Sequence, residues 1–479
     1  ALAISLPLAA AETGKDPASG QGSALTGRPN IILIMADDMG YSDIGCYGGE
    51  INTPNLDKLA ANGLRFTQFY NTARCCPTRA TLLSGLYAHQ AGVGHMMGNY
   101  GLPQYQGELN RNCVTIAEAL RPAGYRTYMS GKWHVKADAA KVFNVATHVR
   151  PGMPKSVKSA YNRPLEGKPD PWNAADKSVG GFWEGGKHWS EVQADDAVGY
   201  LKDAAKGEKP FFIYLAFNAP HDPRQAPQEY LDKYPVSQIK IPESFLPSYP
   251  YRDQIGNPHK LRDENLAPMP RSKHSVQVHR REYYAIITHM DAQIGRVLDE
   301  LKKTGKEKDT YIVFTADHGL AVGKHGLFGK QNMYDHSVRV PFIVVGPDVA
   351  KGTTNDAPIY LQDVIPTTLD WAGAKPPDYV QFKSIQPHLA GKGAKRDYIY
   401  GAYLSVQRSI TEDGYKLIVY PKANNRVGLY HVAEDPHELK DLMKTGGAAA
   451  QARASDLWDR LEAVKGDFGD SLRLTKPGA

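Results

Sequence analysis

Cysteine is rare in this chain, which has four cysteines among 479 residues. Small secreted proteins that depend on disulfides carry far more, so the sequence does not predict a disulfide scaffold. Two of the four, Cys75 and Cys76, are adjacent, where they cannot easily bridge each other, and one pair supplies too few ligands for a structural zinc site. If chemistry consumes one cysteine, at most one disulfide can form among the other three, which include Cys46 and Cys113.

Long apolar runs and dense blocks of positive charge are also missing. After the first residues no run reaches the ~18 apolar residues of a membrane span, so none is predicted. The net charge is +6, and no Lys/Arg block predicts nucleic-acid binding. A mild positive excess instead suits an enzyme with anionic substrates.

The N-terminal residues 1–27 begin with an apolar run, followed by small residues in an A-x-A arrangement at Ala9 to Ala11. This pattern resembles the apolar region and cleavage site of a secretory signal peptide. We therefore expect a signal-peptide remnant with a flexible lead-in, and a periplasmic or secreted protein. The alternative is an Ala-rich tail without a targeting role.

The segment "PNIILIMADD" (Pro29 to Asp38) is continuously apolar until two carboxylates end it. Such a run predicts a strand buried on both faces of a parallel sheet. Strand-like and helix-like segments alternate onward to about residue 384, and this rhythm predicts an α/β fold with a large, mostly parallel sheet flanked by helices over residues 28–384. One of these helices is expected from about Arg281 to Lys303. Residues 135–189 and 235–275 lack a clear period and are predicted to be long loops beside the site.

From about residue 385 the pattern changes to short strand-like runs at close spacing, followed by a helix-like segment from about Ala449 to Val464. This predicts a small C-terminal α+β subdomain over residues 385–479, with an antiparallel sheet and a packing helix.

Polar clusters follow several predicted strands at the point where each strand ends. Asp37 and Asp38 follow the first strand, and Asp317 and His318 follow a late one. Two other strands run into the segments "GKWH" and "NAPH". Ligands bind outside the carboxyl ends of parallel strands, and several carboxylates with further donors suit a hard divalent cation. The sequence therefore predicts a metal site at this edge of the sheet.

The segment "CCPTRATLLSG" (Cys75 to Gly85) has the pattern of a helix start, because Pro77 suits a first turn. Cys75 then lies at or just before a helix N-terminus, where free N–H groups favour an anion. Two interpretations follow from the residues alone: an inert buried cysteine pair, or a reactive thiolate whose pKa the helix and Arg79 lower.

The same segment matches the signature C-x-P-[ST]-R-x-x-L-[LT]-[ST]-G of type I, formylglycine-dependent sulfatases, with Cys75 leading and Cys76 at the variable position. Other segments resemble sulfatases in the same order, among them "GYRTYMSGKWH", "NAPHDP", "FTADHG" and "GLFGKQNMYDHSVRVP". The resemblance covers roughly residues 28 to 442 and looks closest to bacterial arylsulfatases. It implies the alkaline-phosphatase-like fold with a small C-terminal subdomain.

The resemblance also implies a chemistry. In this family a formylglycine-generating enzyme oxidises the leading cysteine to formylglycine (3-oxoalanine), whose hydrate is the nucleophile. One Ca²⁺ ion is then expected on the residues that align with the family's ligands, which are Asp37, Asp38, Asp317, His318 and the modified Cys75. His318 stands where many relatives have Asn, so the sequence leaves the metal's identity open at this position. Arg79 resembles the residue that holds the formylglycine hydrate, and the residues that resemble the sulfate-pocket set are Lys132, His134, His221 and Lys330.

The function expected from this resemblance is hydrolysis of sulfate monoesters of an aryl alcohol or a carbohydrate. His221 is a candidate general acid for the leaving alcohol, His134 a candidate base, and Asp38 a candidate proton acceptor. One alternative is a phosphonate monoester or phosphodiester hydrolase of the same superfamily. A second is a secreted binding protein that has lost catalysis.

Some matching residues have no clear role. His89 and His95 either shape the pocket or only pack, and Asp335, His336 and Arg339 are expected to be structural. The segment "QFKSIQPHLAG" lacks the D-G of the family's usual pattern.

Overall fold

The computed structural model describes residues 27–72, 74–110 and 112–476. The predicted signal-peptide remnant thus lies, except for its last residue, outside the described residues. None of the described helices is both long enough and apolar enough to cross a membrane.

The strands of the described chain fall into a large sheet, a two-stranded pair and a C-terminal sheet. Their bounds are β1 (Asn30–Ala36), β2 (Leu64–Phe66), β3 (Phe69–Tyr70), β4 (Arg126–Lys132), β5 (Val145–Arg150), β6 (Phe211–Ala216), β7 (Thr310–Ala316), β8 (Phe342–Val345), β9 (Thr353–Asn355), β10 (Ile359–Tyr360), β11 (Tyr398–Tyr403), β12 (Gln407–Glu412), β13 (Tyr415–Tyr420) and β14 (Arg426–His431).

The helices range from single turns to the long α7. Their bounds are α1 (Pro54–Ala61), α2 (Cys75–Ser84), α3 (Ile116–Leu120), α4 (Ala139–Val142), α5 (Trp189–Ala204), α6 (Gln228–Leu231), α7 (Lys273–Lys303), α8 (Asp335–Val338), α9 (Val364–Trp371), α10 (Gln386–Leu389), α11 (Leu442–Thr445) and α12 (Gly447–Val464).

The large sheet has eight strands in the order β5-β4-β6-β1-β7-β8-β2-β9. Every pairing in it is parallel except the two that β8 makes. All residues of the apolar strand β1 are buried, and it lies between β6 and β7. Two groups of helices pack together, α1, α5, α6 and α7 in one and α2, α3 and α9 in the other. The predicted mostly parallel α/β sheet is confirmed.

The C-terminal strands form a separate antiparallel sheet in the order β11-β12-β13-β14. Helix α12 packs on this sheet, and both contribute to a second hydrophobic core that residues of the large α/β part join. Its members include Tyr400, Leu417, Leu429, Leu457 and Leu461 from the C-terminal part and Tyr70 and Tyr334 from the large α/β part. The predicted antiparallel sheet with a packing helix is therefore confirmed as an architecture.

Two local predictions were wrong. Helix α7 begins at Lys273, well before the expected Arg281, because the Ser272 side chain caps it by accepting a hydrogen bond of 3.0 Å from the Ser275 N–H. The stretch 135–189, predicted to be a loop, contains the edge strand β5. That strand is only partly buried on β4 and therefore lacks the continuous apolar run of the central strands.

Candidate active site

Strands β1 and β7 are neighbours, and their register pairs Ala36 with Ala316. The next residues, Asp37 and Asp317, therefore leave the sheet side by side. The backbone N–H of Asp38 donates a hydrogen bond of 3.1 Å to the Asp317 carboxylate, which fixes the two turns to each other. The backbone at Asp38 is left-handed, with φ at 74°, and this turns the chain away from the strand direction.

Strand order brings the other two polar clusters to the same edge. Strands β4 and β6 lie next to β1 in the order β4-β6-β1-β7. Lys132 is the last residue of β4, with His134 two residues beyond, and His221 follows β6 after a short turn. The carboxyl ends of four adjacent strands thus carry the predicted residues, as expected for ligand sites in parallel sheets.

Asp37, Asp38, Asp317 and His318 form one cluster in which a ligand atom of each lies within 4.8 Å of the others. All four side chains are fully buried. Within the described residues, Asp37 Oδ1 and His318 Nε2 have no hydrogen-bond partner. His318 Nδ1 lies 3.2 Å from the Gly319 carbonyl. Its Nε2 faces the carboxylates, 3.2 Å from Asp38 Oδ1 and 3.4 Å from Asp317 Oδ1, so Nε2 is the ligand atom of this ring.

This cluster is chemically suited to a divalent cation. Burial, and then the neighbouring Asp317 carboxylate, raise the pKa of Asp37 well above its ordinary value. Buried carboxylates at such distances repel one another, and a bound cation would offset both the burial and the repulsion. The three carboxylates supply the oxygen ligands that Ca²⁺ prefers, whereas the imidazole of His318 is a ligand more usual for transition metals. Cys75 is not among the residues whose ligand atoms lie within 4.8 Å.

Three buried basic side chains surround the acidic cluster. Lys132 Nζ lies 2.5 Å from Asp37 Oδ2, and Lys330 Nζ lies 2.8 and 2.9 Å from the two oxygens of Asp38. Arg79 Nε lies 3.1 Å from Asp317 Oδ2. The three cations balance the three carboxylates, so a bound divalent ion would leave the site with the net positive charge that a tetrahedral anion requires.

Helix α2 begins at Cys75, as predicted, and all its residues are buried. The Cys75 side chain is 4% exposed. Burial raises the pKa of its thiol, but the positive charges of Lys132, His134 and Lys330 outweigh this and hold the pKa well below the ordinary value. Burial raises the pKa of Cys76 instead. The two adjacent cysteines therefore have opposite chemical character.

All four cysteines lie in the described part of the chain, and each is a free thiol. The disulfide that the sequence left open does not form.

The imidazole of His221 is held in place through Nδ1, and its Nε2 faces the site. Its Nδ1 lies 2.9 Å from the Asp222 carbonyl and 3.2 Å from the Asp222 carboxylate. Its Nε2 lies 3.1 Å from Lys330 Nζ and 3.8 Å from Asp38. The ligand atoms of Asp38, His221 and Asp222 also come within 4.8 Å of one another, but the ammonium of Lys330 already contacts Asp38 and His221 there.

Sequence reasoning missed Asp222 and Arg262. The Arg262 guanidinium pairs with Asp222, and its NH2 group lies 2.5 Å from Asp263 and 3.5 Å from His221 Nε2. Asp222 follows His221 directly in the quoted segment "NAPHDP", so adjacency could have indicated it. Arg262 lies in the irregular segment 235–275 and follows no strand or motif.

His134 occupies a left-handed backbone position with φ at 54° and is half-buried beside the thiol of Cys75. Burial lowers the pKa of its imidazole. Its ring lies against Gly152, where an added Cβ would be 2.5 Å from His134 Nε2. A glycine is therefore needed at position 152 for this ring position.

Comparison with known proteins agrees with this geometry. The profile of the family described as Sulfatase matches residues 29–374, and the one described as N-sulphoglucosamine sulphohydrolase, C-terminal, matches residues 323–467. An arylsulfatase of Klebsiella aerogenes is 30% identical, over 78% of this chain and 92% of its own.

Two solved structures are similar over almost their whole length. One, described as a complex with its substrate D-glucosamine-2-N,6-O-disulfate, is 26% identical with a TM-score of 0.72 and covers 93% of this chain and 99% of its own. The other, a phosphonate monoester hydrolase of Agrobacterium radiobacter, is 21% identical with a TM-score of 0.73 and covers 94% of this chain and 99% of its own. At that identity the second structure shows a shared fold alone.

The resemblance found in the sequence motifs is thus confirmed by a family profile that matches most of the chain and by a relative at 30% identity. The chain belongs to the sulfatase family of the alkaline phosphatase superfamily, and it is a sulfuric ester hydrolase.

Proposed function

We propose that this enzyme hydrolyses sulfate monoesters of aryl alcohols or carbohydrates with a formylglycine at position 75 and one bound calcium ion. The observation that carries the proposal is the meeting of a buried acidic cluster, three buried cations and Cys75 at one edge of the sheet. A protein that had lost catalysis would be expected to have broken this constellation.

Asp37, Asp38, Asp317 and His318 would hold the calcium ion. When bound, a divalent cation supplies positive charge that polarises a sulfate oxygen and stabilises the transition state. The partnerless Asp37 Oδ1 and His318 Nε2 support this assignment, because buried polar atoms without partners are costly unless a ligand satisfies them.

Cys75 would be the residue that is oxidised. As formylglycine it supplies a hydrated aldehyde, of which one hydroxyl can attack sulfur and the other can later expel sulfate. Lys132 and Lys330 are placed to bind the sulfate oxygens, since both ammonium groups are buried beside the thiol. Arg79 holds Asp317 and the backbone carbonyl of Lys132, with NH1 2.9 Å from that carbonyl, and so keeps these groups in position.

Two histidines would move the protons. His221 is placed to protonate the leaving oxygen from Nε2, because Asp222 holds its Nδ1 and turns Nε2 toward Asp38 and Lys330 in the site. His134, half-buried with an Nδ1 that has no partner among the described residues, accepts the proton of the hydroxyl that expels sulfate. Asp38 can accept the proton of the attacking hydroxyl.

The first test is mass spectrometry of position 75 in protein co-expressed with a formylglycine-generating enzyme. Chymotrypsin is preferred, because trypsin would cut after Arg74 and Arg79. We expect Cys75 to lose its thiol and Cys76 to alkylate. The rate of 4-nitrophenyl sulfate hydrolysis should be proportional to the fraction of protein that carries formylglycine, and Cys75→Ala should not hydrolyse this ester. Full conversion without sulfate ester hydrolysis would refute the proposal.

The same preparation separates the sulfatase from the phosphonate hydrolase. We expect kcat/KM for an aryl sulfate to exceed that for the matching aryl phosphonate monoester. The reverse order would assign the enzyme to the alternative class.

A further inference from the structure

Three consecutive charged residues, Arg262, Asp263 and Glu264, lie in the stretch 235–275 that the sequence predicts to be a loop beside the site. We call them the charged triplet. Asp263 and Glu264 are 2% and 1% exposed, and the side chain of Arg262 is 30% exposed. Buried charged groups are costly unless they are paired, so the partners of the triplet show what this segment does.

Arg262 contacts the catalytic candidate His221 from two sides. Its NH1 group donates to the carboxylate of Asp222. Asp222 in turn holds His221 Nδ1, with its carbonyl oxygen at 2.9 Å and its carboxylate at 3.2 Å. The NH2 group of Arg262 lies 3.5 Å from Nε2 on the other edge of the ring. The guanidinium therefore restricts the orientation of the imidazole.

Asp263 is connected in the same way to Lys330. Its carboxylate accepts a hydrogen bond from the side-chain amide of Gln331, and the oxygen of that amide accepts one of 3.0 Å from the Lys330 backbone N–H. Lys330 Nζ lies 3.1 Å from His221 Nε2. The other oxygen of Asp263 accepts a hydrogen bond of 2.5 Å from Arg262 NH2. This last contact joins the residue that holds His221 to the residue that holds Lys330.

Glu264 fixes the backbone just ahead of the site lysine. Its carboxylate accepts hydrogen bonds from the backbone N–H groups of Phe328 at 3.0 Å and Gly329 at 2.8 Å, and it pairs with Arg271. At Gly329 an added Cβ would lie 2.9 Å from Asp263 Cβ and 3.1 Å from Glu264 Oε1. A glycine there allows the triplet to approach this backbone closely.

The contacts of the triplet favour a positioning role over substrate selection. Arg262 is already neutralised by Asp222 and Asp263, so it does not offer a free charge to a substrate. The carboxylates of Asp263 and Glu264 are buried and turned toward protein groups. These contacts all lead to His221 or to the segment that carries the site lysine.

We propose that Arg262 and Asp263 are positioning residues for proton transfer to the leaving group. Arg262, through Asp222, orients His221 so that the proton passes from Nε2 to the bridging oxygen as the S–O bond breaks. Asp263, through the adjacent amide, keeps Lys330 beside that nitrogen. The proposal rests on the sulfatase function proposed above, in which His221 is the general acid. An acid acts only within hydrogen-bond reach of the leaving oxygen, so a displaced ring lowers the rate although the ring itself is intact.

The test compares two esters that differ in their need for an acid. Phenolate is a stronger base than 4-nitrophenolate, so phenyl sulfate depends more on protonation of the leaving oxygen than 4-nitrophenyl sulfate does. We would measure kcat/KM for both esters in the wild type, Arg262→Met, Arg262→Lys and His221→Ala. The ratio of the two values within one protein does not depend on the fraction of formylglycine or of folded enzyme. Arg252→Met is the matched control, because Arg252 lies in the same segment and pairs with the exposed Asp253.

In Arg262→Met, kcat/KM for phenyl sulfate should fall about 10-fold more than kcat/KM for 4-nitrophenyl sulfate, which is part of what a general acid contributes. Arg262→Lys should recover part of this loss, because an ammonium can pair with one carboxylate but lacks the planar fork that holds two. His221→Ala should change the ratio at least as much, and Arg252→Met should not change it. Adding Arg262→Met to His221→Ala should leave the ratio of His221→Ala as it is, because Arg262 acts through that ring.

Asp263 is tested by the same ratio. Asp263→Ala should change it in the same direction as Arg262→Met, because the amide that holds the Lys330 backbone loses its acceptor. Asp263→Asn keeps one oxygen that can accept this hydrogen bond and should change the ratio less.

The possible failures differ in what they overturn. If wild type that carries formylglycine hydrolyses neither ester, the sulfatase proposal fails and this one falls with it. If His221→Ala keeps the wild-type ratio, His221 is not the acid and both roles fail. If His221→Ala changes the ratio but Arg262→Met lowers kcat/KM equally for the two esters, the role of Arg262 is structural and the inference alone is overturned. Should Arg262→Met not fold, the ratio in Arg262→Lys decides in the same way.

Discussion

Arg79 shows at the residue scale how one side chain can hold several parts of the site. Its guanidinium donates to Asp317 at 3.1 Å, to the Lys132 carbonyl at 2.9 Å and to the Tyr214 hydroxyl at 3.2 Å. The three contacts come from strands β7, β4 and β6. Their geometry uses the planar fork of arginine, which a lysine ammonium does not reproduce.

We therefore expect Arg79→Lys to lower kcat/KM for an aryl sulfate by about 100-fold or more, as for loss of a preorganised charge. The free energy of unfolding should fall by ~3 kcal/mol, because Asp317 is left buried without its partner. Steady-state kinetics and urea unfolding test both. Arg473→Lys, at an exposed arginine whose side chain makes no hydrogen bond or ion pair among the described residues, should change neither quantity measurably. Wild-type kinetics in Arg79→Lys would contradict the assigned role.

Gly152 constrains His134 by having no side chain. In Gly152→Ala the new Cβ would lie 2.5 Å from His134 Nε2 and 2.7 Å from Cε1, so the ring must move. We expect kcat to fall about 10-fold through lost proton transfer, with the melting temperature nearly unchanged. Gly199→Ala is a matched control, since nothing lies within 4 Å of the added Cβ on α5. That change should stabilise the helix by ~0.5 to 1 kcal/mol and leave kcat as it is. An equal kcat in Gly152→Ala and Gly199→Ala would contradict the role assigned to Gly152 in positioning His134.

At the scale of elements, the central strands and the residues that end them were predictable. Strands β1 and β7 are fully buried, so each is a continuous apolar run, and Asp37 and Asp317 break those runs directly. The two clusters that follow β4 and β6 could be found in the same way. Their meeting at one site depends on the order β4-β6-β1-β7, which no local pattern encodes.

The elements and site residues that could not be predicted have no apolar run or motif in the sequence around them. Strand β5 lies at the sheet edge and is partly exposed, so its apolar pattern is weak. Arg262 comes from a segment without strand or helix period, and only tertiary packing brings it to His221. The boundary between residues 384 and 385 stays a prediction.

The contact between β13 and α8 joins the C-terminal sheet to the catalytic part through buried charges. Lys416 on β13 pairs with Asp335 on α8, and its Nζ lies 2.8 Å from the Glu438 carboxylate. The backbone N–H of Asp335 donates to the other oxygen of Glu438 at 2.7 Å. Asp335 thus has the structural contacts expected from the sequence, and Arg339 pairs with it at 3.4 Å.

This contact predicts a pH dependence of stability. Burial raises the pKa of Glu438 from 4.5 to about 7, so between these values the folded state binds more protons than the unfolded state. The contribution of Glu438 to the free energy of unfolding is therefore fully present below pH 4.5 and is lost as the pH rises through 7. Between pH 7.5 and 4.5, the wild type should gain about 3 kcal/mol relative to Glu438→Gln. Urea unfolding at several pH values measures the difference.

Glu208→Gln is the control for this series, because Glu208 is exposed and its side chain makes no ion pair among the described residues. The difference in the free energy of unfolding between this variant and the wild type should not change with pH. The difference in the free energy of unfolding between the wild type and Glu438→Gln should change with pH. If it does not, Glu438 has the same pKa in the folded and unfolded states, and the prediction is wrong.

At the scale of the whole molecule, the C-terminal sheet takes part in building the site as well as covering it. Gln407 on β12 donates a hydrogen bond of 2.9 Å to the Gln331 carbonyl, next to Lys330. The hydroxyl of Tyr403 on β11 accepts a hydrogen bond of 3.4 Å from Arg74, which directly precedes Cys75. Both sheets therefore position groups around Cys75, and loosening of the C-terminal part should impair substrate binding as well as stability.

Metal removal tests the acidic cluster in the intact protein. Three buried carboxylates with a partnerless oxygen on Asp37 destabilise the empty site, and a ligand that binds only the folded state stabilises it by mass action. Calcium added to chelator-treated enzyme at about 100 times its Kd should raise the free energy of unfolding by ~2.7 kcal/mol. Asp317→Asn should reduce that gain, because one anionic ligand is lost, whereas the exposed Asp299→Asn should keep it. Calcium-independent melting of the chelated wild type, with no metal found by elemental analysis after dialysis against calcium, would mean that these four residues do not hold the ion.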